Sequence, residues 1–172
     1  ISAIPVMVAT AAEQFNLAVD NVLSVSLNSG SVSAINYAQK LFNLLNGTIT
    51  TAIVTISYPI FSRLYAEKNY KLLIDNINIY FNIIIFVMLP IMILSIFFSE
   101  DIVRIVFARG SFRQESILAV GNIFKIYVLA IPFAALKEFV TRIFYIYNEP
   151  RVPMIINVIC IMLNIFLSII GS

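Results

Sequence analysis

The chain has 172 residues, of which 60% are hydrophobic and 12% are charged, and its mean hydropathy is +0.96. Soluble domains are about half apolar and about a quarter charged, so this composition is typical of a membrane protein. The net charge of +2 is too small to indicate nucleic acid as a partner. The absence of His and the single Cys exclude a zinc site, an internal disulfide and a His-activated nucleophile, so we predict a protein that is not an enzyme.

Apolar runs of about 18 residues or more predict an all-α integral membrane protein with about five transmembrane helices. In chain order, these predicted helices cover about residues 3–27, 33–61, 77–98, 115–147 and 153–170. The fourth would be about 48 Å long, so it should protrude from the bilayer or kink, and Pro132 is the expected kink site. Because no initiator Met or charged leader precedes the first apolar run, we expect a fragment of a longer membrane protein.

The first predicted helix carries two carboxylates, Glu13 and Asp20, inside a stretch long enough to cross a bilayer. Their seven-residue spacing is about two helical turns, so both share one face. Ionisable groups at membrane depth are costly and rarely face lipid, so this helix is expected to line a polar cavity or pathway. This feature indicates transport.

The second predicted helix has a polar stripe in which Asn36, Lys40, Asn43, Gly47 and Thr50 recur at helical spacing. One interpretation is a helix-packing seam, with small and amide side chains that allow close approach and interhelical hydrogen bonds. The other is the wall of a polar cavity. At the start of the stripe, the Lys could snorkel to the headgroups or hold a phosphate as a point charge.

The last predicted helix places Asn157, Cys160 and Asn164 on one face, with Ser168 a turn further on. Interhelical hydrogen bonds would satisfy the amides. We expect Cys160 to be a small buried hydrophobic residue.

The end of the fourth predicted helix carries Glu138 and Arg142 at i, i+4 spacing, close to two tyrosines. Such a combination is typical of a membrane-interface end with an ion pair and an aromatic belt. The distribution of Lys and Arg among the connections predicts that residues 62–75 and 148–152 are cytoplasmic and that 28–33 and 99–116 are outside. Within that last segment, residues 100–107 form an amphipathic stretch expected to lie along the interface.

Several local strings occur in an order and spacing that resemble the MurJ/MviN family of lipid II flippases, within the superfamily of multidrug, oligosaccharidyl-lipid and polysaccharide exporters. The strings that carry the resemblance are Val19-Asp20, Leu23-Ser24-Val25-Ser26-Leu27, Gly30 to Leu41 (GSVSAINYAQKL), Tyr58-Pro59-Ile60-Phe61-Ser62-Arg63-Leu64, Ile105 to Phe112 (IVFARGSF), Phe144-Tyr145 and Pro150-Arg151-Val152-Pro153. Each string is unspecific alone, but together they extend over nearly the whole chain. They resemble the opening five helices of the family's C-terminal half.

The resemblance implies an alternating-access transporter in the bacterial cytoplasmic membrane, with two helical lobes around a cationic cavity. The chain would be most of one lobe and would need the N-terminal lobe of the full-length protein as its partner. The implied substrate is the lipid-linked peptidoglycan precursor. Lys40 takes the place of a cationic residue that is often Arg in the family, and we predict Ser33, Asn36, Gln39 and Asn43 as its neighbours in substrate binding.

The resemblance also implies an ion site. In some family members sodium binds between an Asp and residues of two later helices, and Asp20, Asn164 and Ser168 are the matching positions here. Three other functions stay open at this point: a flippase for another polyprenyl-linked saccharide, a cation-coupled drug exporter, and a structural membrane-assembly subunit whose polar faces only pack against partner helices.

Overall fold

The computed structural model describes residues 29–107 and 113–171, and the helix predicted over 3–27 lies outside these ranges. The described residues form six helices and no strand, which confirms the prediction of an all-α protein. The helices are α1 (Ser29–Ala66), α2 (Tyr70–Phe97), α3 (Ser99–Phe107), α4 (Gln114–Val128), α5 (Ile131–Ile146) and α6 (Arg151–Gly171).

Helix α1 runs through the bundle and buries different faces at its two ends. Its first half buries Ala34, Ala38 and Leu41, whereas its second half buries Val54 and Phe61. At about 100° per residue, these two sets lie on nearly opposite faces of the helix. The first half packs mainly on α4 and the second on α2 and α5, so one helix joins two parts of the core.

The predicted fourth helix is divided into α4 and α5, whose axes differ by 47°. The break lies at Leu129 and Ala130, and Pro132 is the second residue of α5. A proline ring clashes with the carbonyl four residues earlier, which belongs here to Val128, the last residue of α4. The predicted kink is therefore present, with its break just before Pro132.

Helices α1 and α5 end in the same way. Lys68 and Asn148, which follow them, have φ angles of 56° and 57°. In both turns the backbone N–H of the next residue donates to a carbonyl five positions back, at 3.0 Å from Asn69 to Leu64 and 2.9 Å from Glu149 to Phe144. The two ends are neighbours, since the Tyr65 and Tyr147 ring centroids are 5.0 Å apart.

The amphipathic stretch before residue 108 forms helix α3, which packs on α4. Val103 is fully buried, whereas Ile105 is 77% exposed. Gly121 of α4 makes the close approach possible, because a Cβ atom there would lie 3.0 Å from Cγ of Glu100. Beside it, Lys125 Nζ and Glu100 Oε1 form an ion pair at 3.6 Å.

By length and composition, two described helices can cross a membrane: Val32–Ala66 and Tyr70–Phe97. The bent pair of α4 and α5 is a third candidate if it forms one span, and Arg151–Leu163 is a shorter apolar helix. The described part of the chain thus gives two or three membrane-length elements where four had been predicted for it.

The centre of the bundle contains a cluster of aromatic rings around Phe61. This side chain is 2% exposed, and its ring lies edge-on to Tyr80 at 5.4 Å and to Phe139 at 5.9 Å between centroids. The three rings join α1, α2 and α5.

Replacing Phe61 by Ala should lower the free energy of unfolding by about 3–5 kcal/mol, because it removes a buried ring that holds three helices together. The measurement is thermal unfolding of the purified full-length protein in detergent. Phe86→Ala is the matched control, since Phe86 is 78% exposed. Equal Tm values for the two variants would contradict the assigned core.

Candidate functional site

The structure places the predicted substrate-binding residues on one side of the first half of α1. Ser33, Asn36, Lys40 and Asn43 are all exposed and lie within about 80° of the helix circumference, while Gln39 is half-buried at the edge of this group. The group combines one ammonium, two amides and a hydroxyl. It therefore offers one positive charge and several hydrogen-bonding groups on a single face.

Lys40 lies next to an aromatic ring, with its Nζ 5.4 Å from the centroid of Tyr37. That distance is within the range of a cation–π contact, which restrains the ammonium without neutralising it. Among residues 29–107 and 113–171, no carboxylate forms an ion pair with Lys40. Within the described part of the chain, no carboxylate thus neutralises this ammonium, which could pair with an anionic ligand.

At Thr50 the predicted polar stripe enters the core, as its packing-seam interpretation expects. This side chain is fully buried, and its Oγ1 donates a hydrogen bond to Asn46 Oδ1 at 3.2 Å. The exposed polar side chains continue instead through Thr51, Thr55 and Tyr58. The cause is the change of buried face along α1. In the second half of the helix the buried face includes Thr50, whereas Thr51 is exposed.

We call the exposed set the polar face of α1. It consists of Ser33, Asn36, Lys40, Asn43, Thr51, Thr55 and Tyr58. Gly47 lies in the middle of this face, and a Cβ atom added there would meet nothing within 4 Å in the described part of the chain. In a packing seam, another helix would lie close to this glycine. No described helix does so, and this part of the face is therefore open within the described structure.

The second half of the polar face forms one wall of a cleft between α1 and α5, which we call the α1–α5 cleft. Its volume is about 370 Å³, and its lining residues are Thr51, Val54, Thr55, Tyr58, Pro59, Glu138 and Arg142. The predicted ion pair is present in its wall, with Arg142 Nη2 at 3.7 Å from Glu138 Oε1. The sequence favours a membrane-interface end over a substrate site here, and the structure places the pair opposite the polar face.

A second cleft of about 330 Å³ lies between α5 and α6. Its lining includes Lys137, Asn157 and Cys160. The expectation that Cys160 is buried is wrong, since its side chain is exposed. Helix α6 packs only lightly on α5 in the described structure, which leaves this face uncovered.

The predicted ion site remains a prediction. Asp20 lies outside the described residues, and the positions of Asn164 and Ser168 are given only by the α6 backbone. Among the side chains that the structure does describe, no group of three His, Cys, Asp or Glu could hold a metal ion.

The fold and the site together define an α-helical integral membrane protein whose longest described helix presents an exposed polar face that carries Lys40. The family profile described as "Lipid II flippase MurJ" matches residues 1–172. The chain belongs to the MurJ family. The description of this family is that of a transporter and not of an enzyme.

Curated relatives carry the same description. The "Probable lipid II flippase MurJ" of Rhizobium meliloti (strain 1021) is 30% identical over 168 residues, which is 97% of this chain and 31% of that protein. Those of Rhizobium tropici and Buchnera aphidicola subsp. Schizaphis graminum are 26% and 30% identical, over 97% and 93% of this chain and 31% of each relative. The chain therefore spans about a third of the length of the relatives it matches.

Cysteine labelling can test whether the polar face meets water. We expect Asn36→Cys, Asn43→Cys and Thr51→Cys to react with a membrane-impermeant thiol reagent in membranes that contain the full-length protein, after Cys160 has been replaced by Ser. Phe86→Cys, on an exposed apolar surface, is the control that should stay unlabelled. Labelling of the three polar-face positions no greater than at Phe86 would instead support a packing seam.

Proposed function

We propose that this chain is part of a lipid II flippase that moves the lipid-linked peptidoglycan precursor across the bacterial cytoplasmic membrane by alternating access. The observation that carries the proposal is the exposed, cation-bearing polar face on the longest helix of a MurJ-family chain. Because the chain is about a third of the length of its relatives, the remaining helices, including the N-terminal lobe, would come from the rest of the full-length protein.

In the proposed mechanism, Lys40 binds the pyrophosphate of the lipid-linked precursor. A charge-assisted hydrogen bond in a partly desolvated site contributes about 1.5–3 kcal/mol. The amides of Asn36 and Asn43 and the hydroxyl of Ser33 supply donors and acceptors beside the ammonium, and Gln39 borders the group. The contact with Tyr37 limits the rotamers of the long Lys side chain, so less entropy is lost when the anion binds.

Helix α1 suits a rocking motion because it is packed at both ends on different neighbours. A lobe held together in this way can rotate as one rigid body, and the polar face can keep its contacts with the substrate headgroup during the rotation. We further propose a multi-pass topology in which residues 62–75 and 148–152 are cytoplasmic and 28–33 and 99–116 are outside. The neighbouring ends of α1 and α5, joined by Tyr65 and Tyr147, support placing the first two segments on the same side.

Replacing Lys40 by Ala in the full-length protein should reduce lipid II flipping by about ten-fold or more, because the anion loses its charged partner. Lys40→Arg should keep most of the activity, since the positive charge remains. Flipping into or out of vesicles with purified lipid II is the measurement, and normal expression of both variants is the control. Normal transport by the Ala variant would leave Lys40 as a membrane-interface anchor only.

We also propose that Asp20 couples transport to an ion, either as a sodium ligand together with Asn164 and Ser168 or as a carboxylate that takes up a proton. Sodium is a hard cation that prefers oxygen ligands, and these three side chains supply them. Asp20→Asn should weaken transport and abolish its dependence on sodium or on pH, measured in an assay that varies each separately. Unchanged activity with unchanged ion dependence would assign Asp20 a packing role.

A further inference from the structure

The α1–α5 cleft lies on the polar face of α1 but far from Lys40. Thr55 follows Lys40 by fifteen residues, which corresponds to about 22 Å along a helix. The two regions are connected by Asn43, the open surface at Gly47 and Thr51. One continuous face thus carries two separated groups of polar side chains.

The chemistry of the cleft differs from that around Lys40. It presents the hydroxyls of Thr51, Thr55 and Tyr58, together with a carboxylate and a guanidinium that lie one helical turn apart. The net charge of this set is zero, and the ion pair is 33% and 46% exposed at its Glu138 and Arg142 side chains, so both can still bond to a ligand. An inorganic phosphate would meet the Glu138 carboxylate beside the guanidinium and would be repelled by it.

A sugar suits this set better than an anion does. Sugar hydroxyls donate and accept at once, so they can use the carboxylate, the guanidinium and the threonine hydroxyls together. The Tyr58 ring and the apolar lining from Val54 and Pro59 offer contact area for the C–H faces of the ring. The volume of about 370 Å³ lies within the range of about 300–1,000 Å³ that is usual for small-molecule sites.

We propose that the α1–α5 cleft binds the saccharide of the lipid-linked precursor, as a second recognition site on the same face that carries Lys40. The inference rests on the proposed flippase function and assigns a residue set to one part of the substrate. Thr51, Thr55, Tyr58, Glu138 and Arg142 recognise sugar, whereas Lys40 recognises pyrophosphate. The separation of the two sites gives the headgroup distinct contacts at two depths of the pathway.

Binding to two probes tests the assignment. The probes are lipid II and a polyprenyl pyrophosphate of the same chain length without sugar, each titrated into the purified full-length protein. The cleft variants are Thr51→Val, Tyr58→Phe and the double variant Glu138→Gln with Arg142→Gln, which leaves no single charge unpaired. We expect each to weaken lipid II binding about five-fold to ten-fold while the affinity for the sugar-free probe stays unchanged.

The controls separate the possible causes of a loss. Thr48→Val makes the same change at an exposed position of α1 outside the cleft and should bind both probes like the parent protein. Lys40→Ala should lower the affinity for both probes. The saccharide site would be overturned if all cleft variants bound lipid II like the parent protein, or if they lost the same affinity for both probes. A parent protein that neither binds nor flips lipid II would overturn the proposed function itself, and the cleft assignment with it.

Discussion

The change of buried face along α1 is the constraint on which the rest of the structure depends. A straight amphipathic helix would bury one stripe along its whole length and expose the opposite one. Here the first half buries Ala34, Ala38 and Leu41, mainly against α4, and the second half buries Val54 and Phe61 against α2 and α5. The polar side chains are left on the side that neither set of neighbours covers. The position of the proposed pathway is thus a consequence of how the core is divided.

This division also explains why the site can be both polar and stable inside an apolar protein. The packing energy of α1 comes from buried aliphatic and aromatic contacts, with Phe61 between Tyr80 and Phe139 at the centre. The polar face contributes none of these contacts, so its residues are free to serve a ligand. The one polar side chain of the predicted stripe that does enter the core, Thr50, finds a partner in Asn46. The buried hydroxyl is satisfied within the helix.

The sequence predicted the all-α class, the kink near Pro132 and the grouping of Asn36, Lys40 and Asn43 on one helix face, because each depends on local composition or helical spacing. It failed at Cys160 and left the burial of Thr50 open, because burial at those positions depends on which neighbouring helix is present. The α1–α5 cleft could not be predicted from the sequence for the same reason. Thr51, Thr55 and Tyr58 are unremarkable polar residues in a long apolar run, and only the packing of α5 brings Glu138 and Arg142 opposite them. The Glu138–Arg142 pair could be predicted, but its position opposite α1 could not.

Gly121 sets how close the amphipathic helix α3 lies to the bundle. Its missing side chain allows the Glu100 backbone and Cγ to come within van der Waals distance of α4, and the Lys125 ion pair then joins the two helices from the side. Even a single methyl group at this position would require Glu100 to shift by a few tenths of an ångström. The absence of a side chain at Gly121 therefore sets the distance between α3 and α4. Through this close contact, the amphipathic helix α3 is held against the helix that packs on the Lys40-bearing half of α1, so the position of α3 is tied to that of α4.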